Sequence, residues 1–245
     1  MIPISLTELT ASAANLTRVD RKYVVPVTAL PDLAASLPES TRILQIDNQH
    51  EFAYTSTYLD TPALASYYLA GTRRRRRFKV RTRTYGSGDS FLEVKVRGAR
   101  DRNVKERIEF DESLPLSPDS LMFIDGTLHA AGVHGVLPDE LSPSLTTRYH
   151  RTTLLLPDDA ARVTVDRSLT CSRRGQEVSF PRMVIVETKA PSARPTVMDM
   201  NLWRAGFRPV KISKYGIGMA LTTPDLPLVK WHRALTHDIP DAMSA

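Results

Sequence analysis

The chain has 245 residues, 42% of them hydrophobic, with 33 Lys+Arg against 27 Asp+Glu and a formal net charge of +6. That is enough apolar content for a sizeable core, in one large domain or two small ones. The single cysteine, Cys171, excludes an intrachain disulfide, no window approaches the length of a transmembrane helix, and the first residues lack the basic and apolar stretches of a signal peptide, so a cytoplasmic protein is expected.

In chain order, a short helix is predicted over residues 4–13 and a strand over 18–25. Residues 28–37 read as a helix, because Leu30, Leu33, Ala34 and Leu37 recur at helical spacing. Residues 42–48 and 51–59 read as a strand pair. Pro62 suits a first helical position, which predicts a helix over 62–70 closed by Gly71. Strands over 77–85 and 90–97 flank a Gly-Ser-Gly-Asp turn, a hairpin signal, and a strand over 103–110 follows. A helix over 118–134, begun by Ser117 or Pro118 and broken by glycines, precedes strands over 146–156, 161–167 and 183–189. Residues 197–205 and 212–221 read as helices, and residues 222–245 as a peripheral tail. The fold class is α+β, with about eight antiparallel strands and helices at their ends or outside.

The charge is local. Residues 73–107 hold 14 Lys+Arg and 4 Asp+Glu, a net of +10, whereas the remainder holds 19 and 23, a net of −4. Such a distribution points to an anionic ligand rather than to a generally basic surface. Within it, ionisable residues alternate at period two, so they share one face of each strand. Lys79, Arg81, Arg83 and Tyr85 alternate against Phe78, Val80, Thr82 and Thr84; Glu93, Lys95 and Arg97 against Leu92, Val94 and Val96; and Lys105, Arg107 and Glu109 are in phase. The pattern recurs in Tyr149 and Arg151, in Arg162, Thr164 and Asp166, and in Glu187 and Lys189. Either the charged faces are solvated, or they line the interior of an antiparallel barrel whose apolar faces are covered by helices. The mixed signs favour the second arrangement. The run Arg73–Arg77 reads as a solvated stretch or a nucleic-acid patch when taken by itself. The six histidines show no zinc spacing.

These segments occur in an order that resembles a known family. Arg18-Val19-Asp20-Arg21-Lys22-Tyr23 is followed by Ser56-Thr57-Tyr58-Leu59-Asp60-Thr61, the strand Lys79–Tyr85, Leu92-Glu93-Val94-Lys95 and Lys105-Glu106-Arg107. Then come Tyr149-His150-Arg151-Thr152, Val186-Glu187-Thr188-Lys189 and Ser213-Lys214-Tyr215. The order is similar to that of the VTC domain, the polyphosphate polymerase domain within the triphosphate tunnel metalloenzymes, which also include the CYTH triphosphatases and cyclases. It covers residues 16–221.

The resemblance implies an eight-stranded antiparallel barrel enclosing a basic tunnel, with flanking helices. It implies that Lys22, Arg81, Arg83, Lys95, Arg151 and Lys214 act on the transferred phosphoryl group. Lys105, Arg107, Tyr149, Arg162, Lys189 and Ser213 would bind substrate phosphates, and Glu187 would bind Mn²⁺ or Mg²⁺. A further family arginine precedes the Lys79–Tyr85 strand; Arg75 and Arg77 share parity with Arg81, and either could serve. Glu93 reads as a counter-charge to its cations. The implied ligands are ATP and inorganic polyphosphate, without nucleic acid, and relatives that work with membrane proteins make such a partner an implied one. Arg18 stands where the CYTH branch has the first carboxylate of its Glu-x-Glu-x-Lys motif, which favours polymerase over triphosphatase.

Overall fold

A computed structural model describes residues 1–12, 19–97, 103–113, 115–157 and 161–239. Contacts divide them into two compact units, each built from three stretches of chain: 1–53, 149–169 and 179–211 in the first, and 54–148, 170–178 and 212–245 in the second.

In the first unit, β1 (Ile2–Ile4) pairs in parallel with β3 (Arg42–Leu44), and β3 pairs antiparallel with the end of β8 (Ser142–Leu155). Helix α1 (Leu6–Ala11) is begun by a capping box between Ser5 and Glu8. β2 (Val19–Pro26) lies against β11 (Met183–Ala190), which lies against β9 (Arg162–Arg173). Their apolar phase, Tyr23, Val25, Val163, Val165, Val184 and Val186, is buried under Leu33 of α2 (Leu30–Ala35) and Met198 and Leu202 of α5 (Val197–Arg204).

In the second unit, β4 (Glu51–Asp60, entering from the first) pairs with β5 (Phe78–Tyr85), β5 with β6 (Ser90–Arg97), and β6 with β7 (Asn103–Glu109), all antiparallel. Phe78, Val80, Leu92, Val94 and Val96 pack against Ile124 and Leu128 of α4 (Pro118–Ala130). Burying about 25 cal/mol per Å² of such surface fixes the strand parity, because a one-residue slip would turn every apolar side chain away from α4. α3 (Ala65–Gly71), α6 (Lys214–Thr222) and α7 (Trp231–Arg233) complete this unit.

The large antiparallel sheet follows the order β2-β11-β9-β8-β4-β5-β6-β7, with β10 (Gln176–Phe180) beside β9. Among the described residues no pairing joins β7 to β2, so a closed barrel is not observed. Several expectations are corrected. Strands β3 and β4 do not pair; β3 joins β1 and β8 instead. Helix α3 starts at Ala65 rather than Pro62, because Asp60 and Thr61 cap the turn ahead of it. Helix α4 stops at Ala130, where Gly132 takes a positive φ of 68°. The C-terminal segment is not peripheral as far as it is described: Trp231, Leu235 and Ile239 are buried. No helix among the described residues is long and apolar enough to cross a membrane.

Candidate functional site: two cationic clusters

In the second unit, cross-strand register builds two rows. Arg81 stands opposite Glu93, and Glu93 opposite Arg107; Lys79 stands opposite Lys95, and Lys95 opposite Lys105. Glu93 is 1% exposed. Its Oε2 accepts from Arg81 Nε at 2.8 Å and Nη2 at 2.6 Å, and its Oε1 accepts from Lys105 Nζ at 2.8 Å. Arg83 Nη1 lies 3.8 Å away. Burial by itself would raise the Glu93 carboxyl, but Arg81, Arg83 and Lys105 outweigh it and hold the group well below the usual carboxylate range. One carboxylate thus faces three cations, the counter-charge role expected for Glu93.

The remaining contacts orient the cations. Arg81 Nη1 donates to Tyr58 Oη at 3.2 Å, and buried Arg83 donates from Nε to Ser56 Oγ at 3.1 Å. Arg107, which is exposed, stacks over Phe91 with its guanidinium carbon 4.4 Å from the ring centroid. Lys95 is exposed. Ser213 caps α6; its Oγ accepts from Gly216 N at 3.3 Å and from Lys79 Nζ at 2.8 Å, and half-buried Lys214 is the first helical residue. The row Lys79–Lys95–Lys105 places like charges directly opposite one another, which by itself destabilises a sheet.

In the first unit, Glu187 stands opposite Lys22 on β2 and Thr164 on β9. Lys22 Nζ lies 2.6 Å and Lys189 Nζ 3.1 Å from Glu187 Oε1. Burial would raise the Glu187 carboxyl, but Lys22, Lys189 and Arg151 hold it well below its ordinary value. Burial lowers Lys189 from 10.5 to about 8, against the pull of Glu187. Arg151 forks onto Asp166, Nε to Oδ1 at 2.6 Å and Nη2 to Oδ2 at 2.8 Å, and its guanidinium carbon sits 5.3 Å from the centroid of buried Tyr149. Arg162 stands opposite Lys189 and donates from Nη2 to the Leu9 carbonyl at 3.3 Å.

Lys22, Arg151, Lys189 and Glu187 therefore gather in one unit, with Tyr149 against Arg151 and Arg162 in register with Lys189. Arg81, Arg83, Lys105 and Ser213 gather in the other, with Lys95 and Arg107 in the same rows. Arg75 and Arg77 do not join them. The expected parity with Arg81 fails, because β5 begins at Phe78 and Arg75 and Arg76 form a turn ahead of it. Arg75 is exposed, and Arg77 Nη1 donates to the Arg74 carbonyl at 3.0 Å. Arg18 lies outside the described residues. An open cleft lined by Asp89, Ser90, Phe91, Glu109, Phe110 and Asp111 has the wrong charge for a phosphate.

Sequence reasoning missed the residues that hold the clusters. Asp166 was visible only as an alternating polar residue, whereas it occupies the fork of Arg151. Asp199 is fully buried; it accepts from Tyr23 Oη at 2.7 Å and Thr188 Oγ1 at 2.8 Å, the residues beside Lys22 and between Glu187 and Lys189. A Thr-x-x-Asp capping box at Thr196 was the available signal for it. Lys79 was noted on the charged face but not assigned to the site.

Among the described residues no three His, Cys, Asp or Glu side chains come together. Glu187 lies between Lys22 and Lys189, with Asp20 opposite Lys189 on β2. That donor set suits an ion that keeps most of its ligands as waters and phosphate oxygens, the habit of Mg²⁺, and does not make an all-protein cage.

The fold is similar to those of two solved proteins. One is a proposed adenylate cyclase from Bacillus halodurans, at 11% identity and a TM-score of 0.52, covering 80% of this chain and 93% of that one. The other is HpAC1 from Hippeastrum, a proposed adenylyl cyclase with a dominant triphosphatase activity, at 14% identity and a TM-score of 0.51, covering 86% and 99%. The VTC domain family model matches residues 17–223, and the chain belongs to that family. No curated protein matches it.

Proposed function

We propose that this protein is an ATP–polyphosphate phosphotransferase, moving the γ-phosphoryl group of ATP to the end of an inorganic polyphosphate chain and releasing ADP. The observation that carries the reading is the in-register row Lys79–Lys95–Lys105 beside a buried Glu93 that balances only part of its surrounding positive charge. Family membership supports the ligand class. The sequence position of Arg18, where the triphosphatase branch has a carboxylate, supports transfer to phosphate over transfer to water. The closed barrel that the resemblance implies belongs to the same proposal.

The transition state of phosphoryl transfer is loose, so catalysis consists of alignment and charge neutralisation. A terminal phosphate oxygen of the acceptor attacks the γ-phosphorus, the bond to the bridging oxygen breaks, and ADP leaves with that electron pair. Arg81 and Arg151 are suited to bind oxygens that gain charge, because Glu93 and Asp166 fix their guanidinium planes beforehand. Lys105, Lys22 and Lys189 add compact positive charge, Arg83 adds a delocalised one, and Ser213 with Lys214 offers a hydroxyl and an ammonium at the start of α6. Glu187 is the residue that would hold Mg²⁺ or Mn²⁺; the ion, when bound, would neutralise phosphate charge.

The test is incubation with ATP and Mn²⁺ or Mg²⁺, with polyphosphate resolved on a gel and ADP measured in parallel. Chains with stoichiometric ADP support the reading. Orthophosphate without chains assigns a triphosphatase, and binding of tripolyphosphate without any product assigns a passive binder; either overturns it.

A further inference from the structure

Asp60 is a buried carboxylate without a cation. It is 1% exposed, and no Lys, Arg or His among the described residues pairs with it. Four neutral donors surround it. Its Oδ1 accepts from Thr61 N and Ser66 N, each at 2.8 Å; its Oδ2 accepts from Tyr67 N at 3.0 Å and from Tyr215 Oη at 2.5 Å. The three backbone donors are local and fix the carboxylate to the corner between β4 and α3. The fourth comes from 155 residues further along the chain. A buried carboxylate held only by neutral donors is costly to desolvate.

Tyr215 is the second residue of α6, directly after Ser213 and Lys214. Its ring stacks on Tyr58, with centroids 4.9 Å apart and planes at 26°. Tyr58 Oη accepts from Arg81 Nη1 at 3.2 Å, and Ser213 Oγ accepts from Lys79 Nζ at 2.8 Å. One phenol therefore ties the start of α6 to β4, which pairs with β5, the strand that carries Lys79 and Arg81. Ser144 Oγ closes the arrangement, 3.4 Å from Tyr215 Oη and 3.0 Å from the Tyr58 carbonyl.

We infer that Asp60 and Tyr215 are a positioning pair, which sets Ser213 and Lys214 at the distance from Lys79 and Arg81 that a run of adjacent phosphates requires. The inference rests on the phosphate-binding reading above. Asp60 and Tyr215 themselves touch no ligand in it; they act through Ser213, Lys214 and Tyr58.

The test uses Tyr215→Phe, which keeps the ring and its stacking and removes only the hydroxyl. Tyr67→Phe is the matched control, because Tyr67 is equally buried and its hydroxyl bonds the Pro227 carbonyl at 2.8 Å, away from Ser213. Tripolyphosphate affinity is expected to fall about tenfold in Tyr215→Phe, the effect of losing alignment at one charge-assisted contact, and to stay unchanged in Tyr67→Phe at a similar melting temperature. In the Ser213→Ala background the Tyr215→Phe effect should shrink, since part of it acts through Ser213. Amide exchange at Gly216 and Ile217, whose N–H groups bond Ser213, should rise in Tyr215→Phe without any ligand. Additive losses, or exchange equal to that of the control, would overturn the positioning role. If the wild-type chain fails to bind tripolyphosphate, the functional reading falls, while the exchange measurement still decides whether Asp60 and Tyr215 fix the start of α6.

Discussion

Lys189 and Glu187 carry opposite charges on one strand face, and their titrations make separable predictions. Lys189 is lowered to about 8 by burial, so it loses its proton in the folded protein before it would in the unfolded chain. Tripolyphosphate affinity should therefore weaken as pH rises through about 8, and Lys189→Arg should remove that limb. Stability moves the other way. Between about 8 and 10.5 the unfolded chain binds the proton and the folded one does not, so this group's contribution to stability rises with pH across that window. Calorimetric titration from pH 6.5 to 9.5 beside thermal melts checks both signs. Glu187→Gln keeps the shape and removes the charge that Lys22 and Lys189 share. Turnover should fall by about 10–100-fold, the range for lost support of a bound metal, while tripolyphosphate binding survives on the remaining cations. Full metal-dependent activity in that variant would move the ion to another carboxylate or to the phosphates alone.

At the scale of elements, each cationic face is held by what lies behind it. Helix α4 covers the apolar phase of β5 and β6, and α5 supplies Asp199, which bonds Tyr23 and Thr188 between the charged residues of β2 and β11. The C-terminal segment supports α6 in the same way. A Cβ on Gly216 would come within 2.2 Å of the Trp231 ring, so only glycine lets α6 and the indole meet this closely. Trp231, 2% exposed, should cost about 3–5 kcal/mol when replaced by alanine, because a cavity replaces its packing. A melting temperature unchanged in Trp231→Ala would show that the segment is as peripheral as its prolines suggest. The strand phases were legible because burial against helices enforces period two. The partner of β3 and the bonds of Asp199 to Tyr23 and Thr188 were not, because they depend on contacts between segments far apart in the chain.

For the whole molecule, a positive charge confined to a short stretch within a nearly balanced chain predicts ligand linkage rather than general stickiness. Tripolyphosphate should raise the melting temperature in proportion to the logarithm of its concentration, with about 2.7 kcal/mol of stabilisation at 100 times Kd. The effect should shrink with added salt as the Debye length falls from about 10 Å at 0.1 M to 3 Å at 1 M. Arg81→Ala should weaken it, since Arg81 is part of the arrangement around Glu93. Duplex DNA giving an equal shift, insensitive to Arg81→Ala, would transfer the charge run to a nucleic-acid role.

The sequence by itself determined the α+β class, the order of the main strands and helices without β1, β10 and α7, the charged phase of the strands that carry the cations, and the family. Alternation and motif order are local properties, written into every i, i+2 pair. Parity carries the cations of each strand to one face, as the register of Lys79, Lys95 and Lys105 shows. Tertiary structure decided what parity could not reach. Arg75 and Arg77 fell outside the rows because the turn at Arg75–Arg76 breaks the phase ahead of β5. Glu93 and Asp166 became orienting partners because cross-strand register set them against Arg81 and Arg151. Asp60 met Tyr215 because the fold brought together two residues 155 positions apart. Register, burial and long-range hydrogen bonds exist only once the strands have paired, and they convert a pattern of cations into an arrangement with defined distances.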